Sequence, residues 1–140
     1  MLLIRLPKDT VRFAAAASGR RCAPGAGRGV VLEGTRGGNG VLLWLRAPDS
    51  LTLGEYAVLQ RVDSTTPRGA IAAARFMIHE VPHGVALDSG AVTVRAIARA
   101  VTARLRASGL EVGGGSRVVV DASFLAVPLG PDTVSCRQAP

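Results

Sequence analysis

Three features of this sequence predict an α+β fold, a small antiparallel or mixed sheet with one long helix over about residues 90–108 and one or two short helices on one face. Val94, Ile97, Ala98, Val101 and Leu105 recur at the spacing of a helical face. Glycine-rich segments separate short apolar runs of strand length. At 140 residues, with 48% hydrophobic and 19% charged side chains, the chain has enough apolar material for one core and too little length for two.

The elements follow in order. Residues 1–6 read as a short strand, and Asp9 can cap a brief Ala-rich helix that stops at Gly19. Residues 19–29 form a loop of Gly, Pro and Arg. Residues 30–33 and 41–46 then flank Thr35-Arg36-Gly37-Gly38-Asn39, whose glycines and asparagine accept positive φ, so the pair reads as a β-hairpin with Trp44 in the core. Leu51, Leu53, Tyr56, Val58 and Leu59 fit a short helix or an irregular strand, the helix being preferred, and residues 69–78 suit a second helix or a buried strand, with Phe76 and Met77 in the core. For the long helix, Asp88 or Ser89 is the N-cap and Gly109 the C-cap. Gly113-Gly114-Gly115-Ser116 turns the chain into a final strand running from Arg117 towards Val127. The domain is expected over 1–130, and residues 131–140 read as a tail.

Composition narrows the function classes. The net charge of +7 rests almost wholly on arginine, since Lys8 is the sole lysine. With abundant Ala, Gly, Val and Pro, this is the signature of a GC-rich coding sequence, yet such a field also attracts nucleic-acid phosphates or acidic proteins. Arg95, Arg99 and Arg106 form one stripe on the expected long helix, and Arg28 and Arg36 add loop cations. Aromatics for base stacking do not accompany them, so any nucleic-acid contact would lack sequence preference. No stretch approaches the roughly 18 apolar residues of a membrane helix. Cys22 and Cys136 lie near opposite ends without a CxxC partner. A disulfide tying the termini fits this spacing, but two separate thiols are the expectation, and the chain is read as cytoplasmic or built into an assembly made there.

One motif suggests catalysis. The two histidines of the chain occur as His79-Glu80-Val81-Pro82-His83, the spacing at which a helix brings two imidazoles to one zinc ion beside a glutamate that activates water. The stretch from His79 to Asp88 resembles the zinc-binding helix of the zincin metallopeptidases, particularly the metzincins. That resemblance implies zinc ligands at His79 and His83 and a general base at Glu80. It spans about a dozen residues of 140. Ala86 stands in place of the family's glycine and Ser89 in place of its third histidine, and Pro82 would break the helix between the two ligands.

Other sites lack their context. Gly25-Ala26-Gly27-Arg28-Gly29 precedes an expected strand, whereas a phosphate loop follows one. No Gly-x-Ser-x-Gly surrounds Ser64, Ser89 or Ser123. The leading expectation is therefore a non-catalytic, oligomerising structural or adaptor subunit of a larger assembly, such as a virus or phage particle, with no cofactor. The alternatives are a zinc-dependent hydrolase and a nucleic-acid-binding accessory protein without sequence specificity.

Overall fold

Residues 100–110 bury alternate side chains. Val101, Ala103, Leu105, Ala107 and Gly109 point inward, and the residues between them are more exposed. A two-residue period belongs to a strand. The computed structural model describes residues 2–5, 10–23 and 28–136, and among them are strands and no helix. The α+β expectation, with its long helix over 90–108 and its short helices, is thereby corrected to an all-β architecture.

The strands are β1 (Leu2–Arg5), β2 (Thr10–Phe13), β3 (Ala17–Cys22), β4 (Arg28–Arg36), β5 (Asn39–Ala47), β6 (Gly54–Ala57), β7 (Gly69–Ile78), β8 (Val81–Ala86), β9 (Ser89–Ile97), β10 (Ala100–Leu110) and β11 (Arg117–Val134). Asp9, expected to cap a helix, Gly25 to Gly27 of the glycine loop and residues 137–140 of the tail lie outside the described residues.

The strands join into one curled, half-barrel sheet in the order β6-β9-β10-β11-β3-β4-β5-β7-β8, with β1 pairing both β11 and β2. The curl makes two facing halves. One is β6-β9-β10 with the first part of β11, and the other is β3-β4-β5-β7-β8 with its last part. β11 belongs to both halves: it runs antiparallel to β10 through Pro128, then parallel to β3 from Leu129. Just before that handover the pairing with β10 is irregular between Val101 and Ala103, at Ala126, whose φ of 45° turns the backbone out of the extended region and whose N–H donates to Thr102 Oγ1 at 2.9 Å. At the other margins, single bridges between Val58 and Ala70 and between Val85 and Glu111 tie the halves.

Side chains from both halves fill the space between them. Leu32, Leu43, Leu45 and Phe76 from one half meet Val92, Leu105, Val120 and Phe124 from the other, all of them buried. The large buried Tyr56 keeps its hydroxyl satisfied by donating to Thr52 O at 2.7 Å and accepting the Thr52 N–H at 2.9 Å.

Cys22 and Cys136 are disulfide-bonded, which corrects the expectation of two thiols. Topology explains it. β3 and the end of β11 are parallel neighbours with Val134 opposite Cys22, so the two cysteines meet although 114 positions separate them. No helix among the described residues is long and apolar enough to cross a membrane.

Candidate functional site

His79 and Glu80 are the two central residues of the tight turn joining β7 to β8, at φ values of 49° and 66°. Both positive values are those of a type I′ hairpin turn, so the segment reverses direction where the zinc reading needs a continuous helix. Both residues are exposed at the tip. His83 lies on β8 opposite Phe76, its ring stacked on the phenyl with centroids 5.3 Å apart and planes 4° from parallel. Its Nδ1 is hydrogen-bonded to Glu111 Oε1, at the bridge that ties the halves together. Among the described residues no three His, Cys, Asp or Glu side chains gather as a metal-ligand set. Pro82 has a structural explanation: β8 is the last strand of its half, and an edge strand tolerates a residue without an N–H.

The arginines are spread out. Arg95 on β9 and Arg106 on β10 are exposed on the outer surface of the first half, and Arg99 sits in the turn between those strands. Arg36 ends β4 on the other half and donates to Ala14 O at 3.2 Å, and Arg28 opens that strand. Asp121 neutralises part of the first group. Arg104 donates to both of its carboxylate oxygens, at 3.2 and 3.1 Å, and Arg106 Nε stands 3.7 Å away. The hydrogen bonds from Arg104 and the adjacent negative charge raise the Arg104 pKa further.

The outer surface of the other half differs. On β5 the inward residues Val41, Leu43 and Leu45 are buried, while Leu42 and Trp44 point outward, with Leu42 44% exposed. Cross-strand register sets Val31 and Ile71 on either side of Trp44, and Glu33 and Ala73 on either side of Leu42. The result is an apolar patch of Val31, Leu42, Trp44, Ile71 and Ala73 bordered by Glu33. Two shallow cavities of about 290 and 250 Å³ adjoin along it, sharing Leu42 and Glu33, the first reaching Arg20 and the second Arg75.

One end of this surface is closed. Residues 60–68 loop over it and are held by Arg46, which donates to Thr66 O at 3.0 Å and Asp63 O at 2.9 Å. The Arg46 guanidinium also lies 4.5 Å from the Trp44 ring centroid, and the Trp44 indole N–H is buried without a partner. Asp63 accepts the Thr66 hydroxyl at 2.6 Å and the N–H groups of Thr65 and Thr66. These bonds, the Thr66 hydroxyl first, hold its carboxyl below the usual range.

Sequence reasoning placed Trp44 in the core and missed this face. The available signal was the unbroken run Val41-Leu42-Leu43-Trp44-Leu45, because a strand apolar on both faces is ordinarily covered on both. No protein-family model, curated protein or solved structure matches the chain.

Proposed function

We propose that this chain is a non-catalytic, self-associating subunit of a larger assembly, and that the outer face of β3-β4-β5-β7-β8 is its contact surface. One observation carries the reading: Leu42 and Trp44 project from a central strand whose other side already faces the core. On the opposite half the outward positions include Arg104, Arg106, Asp121 and Ser123, and its exposed apolar residues Leu110, Val119 and Leu125 stand singly among such polar neighbours. A particle built in the cytoplasm and then released into oxidising surroundings would accommodate the Cys22–Cys136 bond.

Sedimentation velocity over a range of concentrations tests the proposal. The wild-type chain is expected to associate as concentration rises, and Leu42→Glu to remain monomeric with an unchanged β-type circular dichroism spectrum. A wild-type chain that stays monomeric up to hundreds of micromolar would overturn it.

A further inference from the structure

We infer that the face around Leu42 and Trp44 is covered by a second copy of the same chain, packed face to face about a two-fold axis running along β5. This rests on the self-association reading and adds the partner, the symmetry and the residues that set the register.

Position on the face supplies the first argument. An axis along β5 lays β4 of one copy over β7 of the other, because those strands flank β5 on its two sides. Val31 then meets the partner's Ile71, and Leu42 and Trp44 meet their own copies near the axis. A two-fold contact has to be self-complementary in this way.

Charge gives the second. Glu33 comes to lie over the partner's Ala73, one outward position from the partner's Arg75, within reach of its long guanidinium arm. Within one copy, neither Glu33 nor Arg75 is ion-paired among the described residues. The symmetry makes the contact twice.

Size gives the third. Five strands about 4.8 Å apart and three outward rows about 7 Å apart span at most roughly 500 Å² per copy, and the curl of the sheet and the loop of residues 60–68 keep the contact below about 1,000 Å² in total, the size of a weak, transient interface. A dimer that dissociates in the micromolar range is expected. Association through the β8 edge is disfavoured in comparison, because Pro82 removes a backbone donor from that strand.

Charge reversal tests the arrangement. Glu33→Arg and Arg75→Glu should each weaken the homodimer about tenfold, by opposing like charges at both symmetry-related contacts. Mixing the two variants should restore association to within about twofold of wild type, since both arginines of the Glu33→Arg chain then face both glutamates of the Arg75→Glu chain. The chain carrying both reversals should also recover. Sedimentation equilibrium gives the dissociation constants, and circular dichroism confirms that each variant is folded. A wild-type chain that associates while the mixture stays as weak as its components overturns this geometry and leaves self-association standing. A monomeric wild type overturns both.

Discussion

Breaking the Cys22–Cys136 bond should destabilise the chain more than any single core substitution. The bond closes a loop of 114 residue positions, nearly the whole described chain, so it withholds a large amount of conformational freedom from the unfolded state. The chain-entropy relation for a loop of that length gives about 5 kcal/mol at 25 °C. With a urea dependence of roughly 2 kcal/mol per molar for a domain of this size, the midpoint should fall by about 2.5 M on reduction. Urea titrations followed by Trp44 fluorescence and circular dichroism, with and without a dithiol reductant, measure the shift. A chain with Cys22→Ala and Cys136→Ala should match the reduced protein and ignore the reductant. Equal midpoints for the oxidised and reduced chains, with mass spectrometry confirming that the bond was present and then broken, would refute the loop-closure reasoning.

Two further outcomes follow from the turns. Replacing His79 and Glu80 together by Asn and Gly, the pair best suited to two positive φ values, should stabilise the hairpin by about 1 kcal/mol and raise the melting temperature by a few degrees, whereas an unchanged or lower melting temperature would contradict the turn assignment. Asp63 titrates below its ordinary value of 3.8 in the folded chain, so its contribution to stability is present above the unfolded carboxyl range and is lost as pH falls through the folded value. A carbon-detected titration should show that depressed midpoint, with Thr66→Val moving it back up; an identical midpoint in the variant would show that the Thr66 hydroxyl is not the cause.

Parts of this fold were legible in the sequence, and the reason differs from element to element. The β4–β5 hairpin was marked by Gly37 and Gly38, whose φ values of 59° and 83° only such residues adopt readily, between two apolar runs. The reversal at residues 113–116 before β11 was marked in the same way. The expected helix over 90–108 had no such punctuation. It spans two antiparallel strands, and the turn between them holds Ala98 and Arg99 in place of Gly, Asn or Pro. The helical spacing of Val94, Ile97, Ala98, Val101 and Leu105 runs across that turn and marks no common face, since Ala98 is exposed while Val94, Val101 and Leu105 are buried. The β-branched Val92, Thr93 and Val94 and the alternation of Val101, Ala103, Leu105 and Ala107 were the contrary signals. The outer face was half legible. The run from Val41 to Leu45 announced two apolar sides, but only the structure shows that one of them is left largely uncovered, with residues 60–68 closing one end.

Because one strand passes from β10 to β3 between Pro128 and Leu129 and so serves both layers, neither layer has a complete set of hydrogen-bond partners without the other. Fraying that begins at the disulfide end must travel back through Leu129 and Val127 into the pairing with β10 before it can stop. Heat should therefore melt the molecule in a single step, with no half-folded species bearing one intact layer.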